Sequence, residues 1–159
     1  MIILNKRLVR RIVMRRVHHI GITVSDLEAA IGFYQDLTGG TLSGPQEKSG
    51  PAIDAVTGYP GVVVRQAFIV LPDGGTLIEL LEYRGGSGHA IDPDNGSVGA
   101  VHVAIHVDDL DDTLARLTER GVTALSGPVT GTAGLMEHHR FLYVLGPDNV
   151  RVELVEQPH

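Results

Sequence analysis

The chain of 159 residues contains no cysteine and no tryptophan. Without cysteine there is no disulfide scaffold, no thiolate metal site and no thiol nucleophile, and the composition suits a reducing, cytoplasmic setting. Aromatic residues make up only 4% of the chain, as three Phe and four Tyr. That is poor material for the ring platforms on which single-stranded nucleic acids stack. Basic residues are also in short supply: 13 Lys and Arg face 19 Asp and Glu, for a formal charge of −6. Such a field repels phosphate backbones, so nucleic acid is not an expected partner. No apolar run approaches the roughly 20 residues of a membrane-spanning helix, so no membrane is expected either. What is present is ordinary globular material, 43% hydrophobic and 20% charged. The length suits one domain or two fused half-domains.

Charge is unevenly distributed. Lys6, Arg7, Arg10, Arg11, Arg15 and Arg16 place six of the 13 basic residues in the first 16 positions. No uninterrupted apolar stretch of the kind an export signal needs is found there. Residues 1–16 therefore read as a basic extension: an edge strand, a solvated arm, or a stretch ahead of a start at Met14. Contact with a membrane or an acidic partner is the alternative.

The remainder is a repeat. His19 over His102, an offset of 83, lays HIGITVSDLEAAI over HVAIHVDDLDDTL, with Ile22/Ile105, Val24/Val107, Asp26/Asp109 and Leu27/Leu110 identical. Glu79 over Glu153, an offset of 74, lays IELLE over VELVE, with Leu80/Leu154 and Glu82/Glu156 also identical. The modules span residues 17–83 and 100–156, and the first has a middle longer by nine residues, assigned to Gly44–Gly61. Residues 84–99, rich in Gly, Ser, Asp and Pro, form a linker and the expected lid.

Each module opens with a strand. His18, Ile20, Ile22 and Val24 form an apolar-leaning row that alternates with His19, Gly21 and Thr23, which sets His19 on the less apolar face. A helix follows, with a capping box from Ser25 to Glu28 and a stripe of Leu27, Ala30, Ile31 and Tyr34. In the second module Asp108 is the expected N-cap, with Asp111 three residues on, Leu110, Thr113, Leu114 and Leu117 as the stripe, and Gly121 as the stop. Two strand-like runs then flank PDGG in one module and GPDN in the other, so each pair predicts an antiparallel hairpin. The predicted order is β-α-β-β-β, twice, an α+β fold.

His19, Glu79, His102 and Glu153 occupy equivalent places in apolar strands, where an unpaired carboxylate costs several kcal/mol. If all four converge on one cleft, their two imidazoles and two carboxylates make an N2O2 set suited to a divalent ion such as Zn, Co, Ni, Mn or Fe. Ion pairing of the carboxylates with Arg65 or Arg151 is the structural alternative.

The stretches VHHIGITVSDLEAAIGFY with LIELLE, and VHVAIHVDDLDDTLARLTERGV with VELVE, resemble the vicinal oxygen chelate superfamily, which holds glyoxalase I, methylmalonyl-CoA epimerase, extradiol dioxygenases and antibiotic-resistance proteins. The likeness runs from about Val17 to Glu156. It implies two βαβββ modules forming a cupped, incomplete barrel, with His19, Glu79, His102 and Glu153 as the metal ligands. It also implies a homodimer. Four protein ligands resemble the epimerase and glyoxalase branches, whereas dioxygenases use two His and one Glu. The expected chemistry is that of an isomerase, epimerase or lyase: the metal stabilises an enediolate on a small substrate with adjacent oxygens, and Glu79 or Glu153 acts as catalytic base. The methylmalonyl-CoA and valiolone-type epimerases are the nearest analogies.

Two rival readings remain. A ring-cleaving dioxygenase is favoured by Tyr143, ten residues before Glu153 as a tyrosine is in that branch. A drug-sequestering protein would bind a ligand in the cleft without chemistry. His106, repeat-equivalent to Thr23, is a candidate contact to the ligands or an exposed strand end. Glu137, His138, His139 and Arg140 either line the mouth and bind an anionic group or form a solvated loop.

Overall fold

A computed structural model describes residues 16–85 and 88–158. The basic extension, apart from Arg16, lies outside the described residues, as do Gly86 and Ser87 of the linker.

The first module runs β1 (His19–Thr23), α1 (Leu27–Thr38), β2 (Thr41–Lys48), α2 (Pro51–Thr57), β3 (Val63–Val70) and β4 (Leu77–Arg84). The second runs β5 (Val103–His106), α3 (Leu110–Glu119), β6 (Val129–Thr130), β7 (Arg140–Leu145) and β8 (Arg151–Glu156). Each module is one four-stranded sheet, ordered β1-β4-β3-β2 and β5-β8-β7-β6. The predicted β-α-β-β-β order is therefore present twice, as the halves of an open cup. The extra length of the first module contains α2, a short helix the sequence reading did not anticipate. Pro51 starts it, and Gly50 and Gly58 flank it in positive-φ conformations.

Helices begin one residue later than the capping patterns suggested. Asp26, not Ser25, caps α1, its Oδ1 accepting from the Ala29 amide at 2.9 Å. Asp109, not Asp108, caps α3, accepting from the Asp112 amide at 2.8 Å. The cause lies in the sheets, where Val24 N donates to Leu81 O and Val107 N to Val155 O, carrying the extended chain past the end of β1 and β5. Ser25 is thereby freed to bridge the modules. Its amide donates to Asp148 Oδ2 at 2.8 Å and its hydroxyl donates to Asp148 Oδ1.

The core joins both modules. The inward rows of the sheets, including Ile69, Ile78, Leu80, Leu142, Val152 and Leu154, pack with Leu27, Ala30, Ile31, Tyr34, Leu110 and Leu117 of the helices in one cluster. A repeated brace ties each helix to its sheet. Arg65 on β3 reaches Glu82 on β4 at 2.7 Å and Glu28 on α1. Arg140 on β7 reaches Glu156 on β8 at 3.2 Å and Asp111 on α3 at 2.9 Å. Glu156, buried at the helix start, also accepts from the Leu110 amide at 2.7 Å. The Arg65 guanidinium holds the Glu28 carboxyl below the usual range. The recurrence of a second glutamate in IELLE and VELVE is thus explained by packing.

Two stability outcomes follow. Glu156→Leu strips partners from a buried helix amide and from Arg140, and is expected to cost about 2–4 kcal/mol in urea unfolding. Tyr34 is fully buried with no partner for its hydroxyl among the described residues, and burial pushes its phenol well above the usual range. Because the raised value belongs to the folded state, that stability is intact below the unfolded phenol value and is lost as pH rises toward the folded one. Tyr34→Phe should therefore unfold less readily in alkali than the parent, at little or no cost at neutral pH.

Candidate functional site

The outward face of each sheet carries one His–Glu pair. Parallel pairing of β1 with β4 sets Gly21 opposite Glu79, and of β5 with β8 sets Ala104 opposite Glu153. Small residues there leave room for the carboxylates; a Cβ on Gly21 would stand 3.4 Å from Glu79 Oε2. Two residues upstream the histidines lean in. His19 Nε2 lies 3.2 Å from Glu79 Oε2, and His102 Nε2 lies 3.3 Å from Glu153 Oε2. The side chains are 41% exposed for both histidines and 12% and 13% for the glutamates, so a solute reaches the imidazole while the carboxylate stays sheltered.

Neither glutamate pairs with the arginines considered from sequence. Arg65 is committed to the brace, and Arg151 donates to Asp94 at 2.7 Å. The four repeated residues come together two by two. Among the described residues no three His, Cys, Asp or Glu side chains converge.

The halves differ in their surroundings. In the first, Gln66 on β3 donates its amide N–H to Glu79 Oε1, Phe68 meets the His19 ring edge-on, and His18 Nδ1 lies 2.8 Å from His19 Nδ1. In the second, Tyr143 meets the His102 ring edge-on and its hydroxyl lies 3.4 Å from Nε2. Burial, and then the charge of Glu153, raise the Tyr143 phenol above its usual range. Gln66 and Phe68 went unnoticed in the sequence. The strand registers, Phe68 opposite Glu79 and Tyr143 opposite Glu153, show that continuing the repeat through β3 and β7 would have found them.

The other candidates fall elsewhere. His106 ends β5, exposed, and lines a crevice of about 910 Å3 between the edge strands of the two modules, with Val17, Ile20 and Ala104 among its walls. Glu137 and His138, exposed, and His139, half-buried, form a turn before β7, with His138 3.7 Å from Glu137. Arg140, read from sequence as a substrate contact or part of a solvated loop, is spent on the brace with Glu156 and Asp111, because the pleat of β7 turns it to the helix side. The linker, expected to be a lid, is tied to β8 through Asp94 and Arg151.

Known proteins resemble this chain in sequence and in fold. A 2-epi-5-epi-valiolone epimerase from Actinomyces sp. is 29% identical over 145 residues, covering 89% of this chain and 79% of its own. An ethylmalonyl-CoA/methylmalonyl-CoA epimerase from Cereibacter sphaeroides is 29% identical over 143 residues, 89% of this chain and 95% of its own. The crystal structure of a glyoxalase family protein from Bacillus cereus superposes with a TM-score of 0.75 at 25% identity, covering 100% of both chains. With residues 16–154 matching the family model, the chain belongs to the glyoxalase/bleomycin resistance protein/dioxygenase superfamily.

Proposed function

We propose that this protein is a divalent-metal-dependent isomerase that moves a proton beside a carbonyl group, with its metal held by His19 and Glu79 of one copy and His102 and Glu153 of a second. The observation that carries this reading is the spacing within each pair. Ligand atoms each about 2.1 Å from one cation, near a right angle apart, stand about 3 Å from one another. The 3.2 and 3.3 Å separations match that spacing, and imidazole with carboxylate is a donor set for Zn, Co, Ni, Mn or Fe.

A second copy is needed to complete the set. β1 and β5 are edge strands, each hydrogen-bonded to one neighbour among the described residues, and exposed Val17 and Val101 lead into them. Joining the β1 edge of one copy to the β5 edge of another brings two half-sites onto one surface and covers unpaired backbone groups.

A bound ion supplies Lewis acidity to a carbonyl oxygen and makes the neighbouring C–H easier to deprotonate. The chain supplies the bases. Glu79 is steadied by Gln66, and Glu153 stands beside Tyr143, so a substrate between the halves meets one carboxylate from each. Removal by one and return by the other inverts a centre, whereas removal and return by one gives a 1,2-shift. The two epimerase relatives favour the first outcome. The Tyr143 hydroxyl beside His102 supports a second reading, ring cleavage of a catechol with oxygen.

Two experiments test this. Metal content by mass spectrometry should approach about one ion per chain, falling sharply in His19→Ala and in His102→Ala. Co-refolding those two variants should restore binding, because a mixed dimer holds one intact set. No restoration would overturn assembly across two chains, and no metal in the parent would overturn the metal centre. In D2O, methylmalonyl-CoA or 2-epi-5-epi-valiolone should gain deuterium at the carbon beside the carbonyl. Oxygen uptake with catechols and Fe(II), without such exchange, would select the dioxygenase instead.

A further inference from the structure

The two half-sites differ in charge as well as in hydrogen bonding. On β4 the residue two before Glu79 is Leu77, whose Cα pairs with His19. On β8 the residue two before Glu153 is Arg151, one position ahead of the Val103–Val152 pair and so beside His102. Strand alternation puts Arg151 on the face of Glu153, since Val152 and Leu154 between and beyond them are fully buried in the core. The second half-site therefore has an arginine on its face of the sheet where the first has a leucine.

That guanidinium is already bound to a carboxylate. Arg151 Nη2 donates to Asp94 Oδ2 at 2.7 Å, and the Asp94 Oδ1 atom accepts from the Gly96 amide at 2.9 Å. The Arg151 side chain is 14% exposed and Asp94 54%. A sheltered arginine on a rigid strand thus meets an accessible carboxylate on a segment without regular secondary structure. Of the two, Asp94 is the partner that can leave. It gains water when it does, whereas Arg151 left alone would lose its counter-charge in a half-closed site. A guanidinium presents a planar fork matched to carboxylate oxygens, and in a chain of net charge −6 it is a local cation that favours an anion on its own side of the site.

We infer that Arg151 anchors a carboxylate of the substrate on the second-module side of the site, and that Asp94 holds its place in the free protein. This rests on the metal-centred reading above and narrows it. The substrate bears a carboxylate near its chelating oxygens, and its orientation is set because Leu77 offers no equivalent anchor in the other half.

The test compares two metal-directed probes. Acetohydroxamate and succinate monohydroxamate present the same pair of chelating oxygens and differ by one carboxylate. Titrated into the metal-loaded dimer, the carboxylate-bearing probe should bind about tenfold more tightly, as a charge-assisted bond to arginine implies. In Arg151→Gln that preference should vanish while metal content and acetohydroxamate affinity stay as in the parent. In Asp94→Asn, where the competing carboxylate is gone, the preference should grow. A preference unchanged in Arg151→Gln, or lowered in Asp94→Asn, would overturn the anchor while leaving the metal centre intact. Failure of acetohydroxamate itself to bind would overturn the metal centre, and the anchor with it.

Discussion

The parallel pairing of the first strand of each module with its last is the constraint from which the rest follows. A parallel neighbour cannot be reached by a tight turn, so the chain must leave β1 or β5 through a helix and return along the far strands. That detour places the helix over one sheet face, where Leu27, Tyr34, Leu110 and Leu117 meet the inward rows of the strands. It leaves the opposite face open. It also brings a histidine at the start of each edge strand diagonally toward a glutamate on the next strand, at 3.2 Å in one module and 3.3 Å in the other.

Repetition then separates residues held by packing from those held in readiness. The glutamates three residues apart in IELLE and VELVE look alike in sequence, yet they belong to opposite faces. Glu82 and Glu156 face the helices and are bound by Arg65 and Arg140, so their charges are matched by fixed partners. Glu79 and Glu153 face outward and meet an imidazole, which is itself a metal donor rather than a fixed cation. A carboxylate so placed has capacity left for a cation.

Duplication has not kept the halves identical. Gln66 and Phe68 in the first correspond to Phe141 and Tyr143 in the second, and Leu77 corresponds to Arg151. A symmetric scaffold thus presents a surface whose two sides differ, with Gln66 and Leu77 on one and Tyr143 and Arg151 on the other.

Much of this was written in the sequence. A repeat with fixed offsets revealed the βαβββ order, the helix stripes, the hairpins and the four repeated polar residues, because alternation along strands and the 3.6-residue period of helices are local properties. Capping was misplaced by one residue, since the last bond of β1 and β5 is made to a strand more than 45 residues away. Gln66, Phe68 and the bracing role of Arg65 and Arg140 emerge only from the strand register, which depends on which strands lie side by side. Tertiary structure alone decided that Arg140 faces a helix, that Arg151 is held by the linker, and that His19, Glu79, His102 and Glu153 stand as two pairs rather than one cluster. A sequence names donors and their periodicity; only packing decides which faces meet, because the free energy that chooses between them comes from surfaces distant in the chain.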